Sequence, residues 1–349
     1  MKHKKTSLKS LSAHLGLSTT TVSRGLAGYP EVSKATKKRI KDAAIQLDYV
    51  PNNYATRLSK GYSHTIGHII PLSENKMIHP IFADFIAGAG EIYAEHDFDF
   101  LFSVVSKKKE IQTYRALANS GKVDGFILSA PTINDPRIAC LQEMNIPYVV
   151  HGRSIQSKLS KNFSWVDVDN EGGFFKATEY LISLGHKHIG LLNGHEEFNF
   201  ALERRLGFEM ALEENQLELN EAWNLSSQMS EQEGFRLTLE IVQSSERPSA
   251  ILCSSYLIAL GASRAIQQIG LKIADEISIM CWDDCLSYLK QNHDNPYFTC
   301  IQSSVSDAGR NAALMIIDII KNPDVKIKRK LMKGVLKVGH STGKPQTSF

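Results

Sequence analysis

The stretch "STTTVSR", Ser18 to Arg24, gathers two serines, three threonines and an arginine into the opening of one helix-like segment. Lys34, Lys37, Lys38, Arg39 and Lys41 follow it. Hydroxyl groups can reach several bases or hold phosphate, and an arginine can pair bidentately with guanine. The lysines suit the phosphate backbone rather than sequence. The alternative is that the threonines are only a polar helix start. Little other chemistry is in view. The five cysteines, Cys140, Cys253, Cys281, Cys285 and Cys300, are odd in number and sit among apolar residues, as buried reduced thiols do. Cys281 and Cys285 have no second Cys or His pair at zinc-site spacing, so no metal is expected. "GAGEIY" at Gly88 begins G-x-G, but it lacks a third glycine and lies inside a helical pattern. P-loop, nucleophile-elbow and H-E-x-x-H patterns are missing. The expectation is a protein that is not an enzyme, with no catalytic residues and no cofactor.

Helices must present that first stretch. Leu8, Leu11 and Leu15, then Val22 and Leu26, then Ile40, Ala43, Ala44 and Leu47 recur at helical spacing. Gly16 suits a sharp turn between the first two sets, and Ser18 and Ser33 are placed to cap the second and third helices. Three short helices with a tight first turn predict a helix-turn-helix domain, with Thr19, Thr20 and Arg24 outward and Val22 and Leu26 inward. Charge agrees. Residues 1–60 carry twelve Lys or Arg against Glu31, Asp42 and Asp48, a net +9, while the remainder nets −6. A basic head on an acidic body is the footprint of a nucleic-acid binder joined to something else.

The 349 residues are long enough for two or three domains. No apolar run is long enough to span a membrane. The N-terminus lacks the apolar core of a secretory signal, so a cytoplasmic, nucleoid-associated protein is expected. From Thr65, apolar strands alternate with amphipathic helices: "TIGHIIP", "FDFLFSVV", "VDGFILSA" and "IPYVVH" form one group, and "WVDVD", "HIGLLNG", "AILCSS" and "ISIMCWDD" a second. Such alternation predicts two doubly wound parallel-sheet lobes, with a ligand at the carboxyl ends of the strands.

The head, from "LKSLSAHLGLSTTTVSR" through "YVPNNYATRLSKG", resembles the DNA-binding head of the lactose-repressor (LacI) family, with Ser12 where the family usually has alanine. The resemblance implies operator contacts from Ser7, Ser18, Thr19, Thr20, Thr21, Ser23, Arg24, Ser33, Thr36, Tyr49 and Asn52. It also implies a hinge over 51–61 that folds on DNA, pairs with its dimer mate, and wedges Leu58, beside Ala55, into the minor groove. The remainder is similar to the family's sugar-binding domain, a periplasmic-binding-protein-like fold. The implied organisation is a helix-turn-helix domain at 1–50, the hinge, and a two-lobed body at 62–345. The first lobe takes about 62–161 plus 294–326, and the second about 162–293 plus 327–345.

In "LERRLGF" the resemblance makes Arg204 an effector-binding arginine, and in "ISIMCWDD" it makes Asp283 the carboxylate for sugar hydroxyls. Without it, Arg204 could lie on a solvated face and Asp283 could cap the next helix. The matching segments place His79 and Phe82 at the cleft. Departures from the family pattern put Met229 where an aromatic often stands, Ser255 in place of an amide, and His151 to Arg153 in place of an aspartate. His151 could equally be a core histidine. "HGR", "DVDNEGGF" and "LLNG" look most like the α-glucoside-utilisation regulators of the family. The expected protein is a sequence-specific repressor of carbohydrate-utilisation genes that binds double-stranded operator DNA and a sugar, without a membrane partner. Lacking a C-terminal leucine-heptad helix, it is expected to be a homodimer. The alternatives are a sugar-binding protein without DNA-linked induction, or a regulator using its ligand as corepressor or activator. Operator sequence, the sugar, the direction of its effect and higher oligomers stay open.

Overall fold

A computed structural model describes residues 6–49, 62–72, 80–153, 162–244, 246–289, 295–324 and 326–346. It divides after Ser63 into a head and a body. The head holds α1 (Leu8–Leu15), α2 (Thr19–Leu26) and α3 (Lys34–Gln46). Each start is capped by a serine, at Ser18 and Ser33 as the sequence predicts and at Ser7 in addition. Ser7 and Ser10 cap each other's backbone N–H groups, Ser18 accepts from Thr21 N–H at 3.0 Å, and Ser33 accepts from Thr36 N–H at 3.1 Å. Gly16 ends α1 at φ 65°, the left-handed conformation that glycine adopts without strain. Leu11, Leu15, Val22, Ile40, Ala43 and Ala44 form the core.

Ser12 lies in that core with its hydroxyl buried and without a hydrogen-bond partner. Leaving such a group unsatisfied costs about 1–3 kcal/mol. Ser12→Ala is therefore expected to stabilise the head by about 1 kcal/mol, read as a higher denaturation midpoint with an unchanged slope. The expected hinge, with Asn52, Ala55 and Leu58, lies outside the described residues.

Among the described residues the body contains two six-stranded sheets. The first is built from β1 (Thr65–Pro71), β2 (Asp99–Val105), β3 (Gly125–Ser129), β4 (Tyr148–His151), β5 (Ser164–Val168) and β11 (Arg329–Met332), all parallel, in the order β2-β1-β3-β4-β5-β11. The second is built from β6 (Ile189–Gly194), β7 (Asn224–Ser227), β8 (Ala250–Cys253), β9 (Ser278–Asp283), β10 (Thr299–Gln302) and β12 (Val335–Lys337), in the order β7-β6-β8-β9-β10-β12. Of these six, only β12 runs antiparallel to its neighbour. Helices α4 (Pro80–Glu95), α5 (Glu110–Asn119) and α6 (Pro136–Glu143) connect the strands of the first sheet. Helices α7 (Asn170–Ser183), α8 (Asn199–Glu214), α9 (Glu231–Val242) and α10 (Tyr256–Gln268) serve the second, and α11 (Val305–Lys321) packs on α4. No helix among the described residues is long and apolar enough to cross a membrane.

The lobe boundaries need correcting. The sequence pattern groups "WVDVD" with the second sheet, but β5 pairs with β4 through Val149–Ser164, Val150–Trp165 and His151–Val166, and so belongs to the first. Residues 299–302 pair with β9 in the second sheet, and 329–332 with β5 in the first. The chain therefore passes between lobes after Val168, between Gln302 and Val305, and between Met332 and Val335. Strand composition alone does not report a neighbour, so the apolar pattern carries no sign of these crossings.

Gly88, inside α4 as its context implies, is there for packing. An added Cβ would lie 2.0 Å from the Ser306 carbonyl oxygen, and one on Gly309 would lie 2.1 Å from that of Phe85. The two glycines face opposite helices, so α4 and α11 meet backbone to backbone.

Candidate DNA-reading head and ligand cleft

In the head, Ser7, Ser18, Thr19, Thr20, Ser23, Arg24 and Ser33 are exposed, while Thr21, Thr36 and Tyr49 are half-buried. The cap hydroxyls are engaged in turn: Ser18 bonds Thr21 Oγ1 at 2.8 Å and Ser33 bonds Thr36 Oγ1 at 2.8 Å. Thr19 and Thr20 thus stand at the free start of α2 with the lone pairs and protons a base edge needs. Arg24 pairs with Glu31 at 3.3 Å, both side chains about half exposed. A surface pair of this kind contributes little, so Arg24 can exchange it for a base or phosphate. Arg39 also serves the fold, because its guanidinium donates to the Leu15 carbonyl at 2.7 Å and closes the end of α1.

In the body, α8 carries Arg204 inward. The residue is 5% exposed, and its guanidinium lies over Trp282 at 4.6 Å, Phe200 at 5.2 Å and Phe174 at 5.4 Å. Its Nε donates to Asn170 Oδ1 at 2.9 Å and its Nη1 to the Ser254 carbonyl. Burial lowers its pKa to about 10, with Asp284, Asp167 and Glu203 acting the other way, so it stays charged. Gly207 makes the position available: a Cβ there would lie 2.1 Å from the Glu171 carbonyl oxygen, so α8 seats directly on α7. Asn193, a polar residue in an otherwise apolar strand, ties the site together. It donates to the Ala201 carbonyl at 2.9 Å and accepts from Ser254 Oγ at 2.7 Å.

The end of β9 supplies two carboxylates. Asp283 is fully buried, and accepts from Cys285 N–H at 2.9 Å and from the Gln302 amide at 3.2 Å. The carboxylate whose charge couples to Arg204 is its neighbour Asp284, which accepts from Trp282 Nε1 at 3.1 Å. Burial lifts the Asp284 pKa to about 6 against the pull of Arg204. The loop that follows is tied to the first lobe by Ser287, whose N–H donates to Asp84 of α4 at 2.9 Å.

Met229 joins this cluster. A Cβ on Gly194 would lie 3.3 Å from Phe200 and 3.4 Å from Met229, so both side chains close over the end of β6. Ser255 is the N-cap of α10, where it accepts from Ile258 N–H at 3.2 Å. Arg153 does not present a free guanidinium, since it pairs with Glu203 at 3.0 Å and Asp167 at 3.2 Å. His151 stacks on Phe85 at 4.5 Å, and burial lowers its pKa to about 4, so it is neutral. Phe82 stacks on Phe102 of edge strand β2 at 5.2 Å. His79 lies outside the described residues. Asp167, Asn170, Phe200, Glu203, Trp282 and Asp284 gather around Arg204 and Arg153 without having been singled out from the sequence.

Two family profiles match the chain. The one described as "Bacterial regulatory proteins, lacI family" covers residues 12–52, and the one described as "Periplasmic binding proteins and sugar binding domain of LacI family" covers residues 63–334. The chain is 40% identical over 336 residues to the HTH-type transcriptional regulator AglR of Rhizobium meliloti (strain 1021), covering 96% of this chain and 94% of that protein. It is 31% identical to the HTH-type transcriptional regulator RafR of Escherichia coli, covering 90% and 92%. Among solved structures, a transcriptional regulator CelR–cellobiose complex aligns with a TM-score of 0.72 at 25% identity, covering 97% of this chain and 100% of that one. The lac repressor dimer bound to operator and the anti-inducer ONPF aligns with a TM-score of 0.82 at 24% identity, again over 97% and 100%.

Proposed function

The chain belongs to the LacI family of bacterial regulatory proteins, and from that premise we propose a homodimeric repressor of carbohydrate-utilisation genes, released from its operator by a neutral α-glucoside bound between the lobes. As a member of the family it is a DNA-binding transcriptional regulator. The observation that carries the sugar reading is the buried Arg204. It is caged by aromatic rings and flanked by the Asp284 carboxylate just after β9. Charged groups hydrogen-bond hydroxyls more strongly than neutral ones, and aromatic faces suit the C–H faces of a pyranose.

The charge balance argues for a neutral ligand. Asp167 and Glu203 hold Arg153, and Asp284, Asp167 and Glu203 surround Arg204, so a phosphate or uronate would find no spare cation. The cellobiose in the CelR structure is a neutral disaccharide of this kind. The α-linkage rests on "HGR", "DVDNEGGF" and "LLNG", which resemble the α-glucoside regulators. Phe100 and Phe102 on edge strand β2 are 44% and 37% exposed, an apolar edge suited to a second copy. Two heads would then read half-sites about one helical turn apart.

The test is binding to the DNA flanking its own gene at fixed salt, titrated with maltose, trehalose and sucrose. Release by one of them is expected, and tight binding indifferent to all three would remove the effector assignment. Arg24→Ala should cost about 1–3 kcal/mol at the best operator and relax specificity at one base pair. Equal loss on every sequence would instead assign Arg24 to phosphate.

A further inference from the structure

One arginine in the body joins a buried carboxylate of its own lobe to a second one across the lobe boundary. Arg153 follows β4 of the first lobe, Asp167 lies in β5 of the same lobe, and Glu203 lies in α8 of the second. Arg153 Nη2 donates to Glu203 Oε2 at 3.0 Å, and its Nε stands 3.2 Å from Asp167 Oδ2. The Glu203 side chain is 0% exposed and that of Asp167 is 7% exposed. Glu203 Oε1 and Arg153 Nε are buried without a hydrogen-bond partner, so the cluster is under-satisfied as well as unbalanced in charge. The same boundary is stitched by backbone. Ile133 N–H donates to the Glu197 carbonyl at 3.1 Å, and Asn199 N–H and its amide donate to the Pro131 carbonyl, each at 3.2 Å.

We propose that Arg153, Asp167 and Glu203 form a proton-dependent latch, in which closing the lobes takes a proton from solvent onto the carboxylate pair and opening them returns it. The proposal rests on the reading above only in taking the cleft to open and close around a ligand. Burying two carboxylates against one guanidinium leaves an uncompensated negative charge, and a proton removes it. The charged neighbours act in both directions. Arg153 and Arg204 lower the affinity of Asp167 for a proton and Glu203 raises it, while Arg153 opposes Glu171 and Asp169 at Glu203. Burial is the largest cause at both sites, raising Glu203 and taking Asp167 to about 8. A carboxyl released into water returns to about 4. The closed-state affinity for the proton is thus raised, so closure is favoured at low pH and lost as pH rises through about 8.

The test uses the full chain with a donor and acceptor fluorophore on the exposed residues Lys108 and His195, on either side of the boundary. Energy transfer without sugar is followed from about pH 6 to about pH 9.5, a window that spans the expected transition. The wild type should lose transfer as pH rises across this window, while Asp167→Asn, which is neutral at every pH, should hold high transfer throughout. A flat wild-type trace, or a wild-type transition surviving in Asp167→Asn, would overturn the latch, and the first of these needs no variant to fold. Glu203→Gln leaves Arg153 matched to a single carboxylate and should also lose the transition. Repeating the titration with saturating maltose separates the two readings: a midpoint moved to higher pH supports both, and an unmoved one counts against the sugar while the latch stands.

Discussion

Arg204→Ala is expected to abolish release of the operator by sugar while operator binding itself persists, because the head carries that binding. The guanidinium is buried among Trp282, Phe200 and Phe174 and bonded to Asn170 and the Ser254 carbonyl. Removing one member of a buried, hydrogen-bonded charge arrangement typically costs about 2–5 kcal/mol in ligand affinity. That is a loss of about thirtyfold at the low end. It also leaves the Ser254 carbonyl and the Asp284 carboxylate without their donor and counter-charge. Arg204→Lys should recover little, since an ammonium cannot stack on the rings or serve both partners in one plane. Titrating operator-bound protein with sugar checks this directly. An unchanged sugar midpoint in Arg204→Ala would move the binding site elsewhere.

Gly207→Ala should be nearly as damaging, although it changes no polar group. The new Cβ would lie 2.1 Å from the Glu171 carbonyl oxygen and 2.9 Å from the Phe175 nitrogen, both backbone atoms of α7. Overpacking a close contact typically costs about 1–3 kcal/mol, and an obstacle made of backbone puts this case at the upper end. Forced away from α7, α8 would carry Arg204 off Asn170 and Phe174. Two readouts should therefore fall together, the denaturation midpoint and the sugar affinity. Full stability would mean that α7 and α8 can part without strain.

How much of this is legible in the sequence depends on whether the signal is local. The head is legible almost throughout, because the caps Ser7, Ser18 and Ser33 and the turn at Gly16 act within four residues of where they stand. The eight apolar strands are legible for the same reason. β7, β10, β11 and β12 are three or four residues long, and only their partners make them strands. The site is half legible. Arg204 and the aspartates at the end of β9 lie in recognisable segments, but which carboxylate faces the arginine depends on side-chain direction. Ser255 reads by resemblance as a ligand contact, although its spacing to Ile258 suits an N-cap. The pairing of Arg153 leaves no local trace, because its partner Glu203 is fifty residues away and on the other lobe.

The central claim is that sugar bound by the body weakens the hold of the head on DNA. The most direct measurement is the reciprocal pair: operator affinity with and without saturating sugar, and sugar affinity with and without saturating operator, at one salt concentration. Linkage requires the two ratios to be equal, and couplings of this kind typically amount to about 1–3 kcal/mol, or about five- to 150-fold. Equal ratios in that range, each showing weaker binding in the presence of the other ligand, are the predicted result. Ratios of one, or sugar that tightens operator binding, would contradict it.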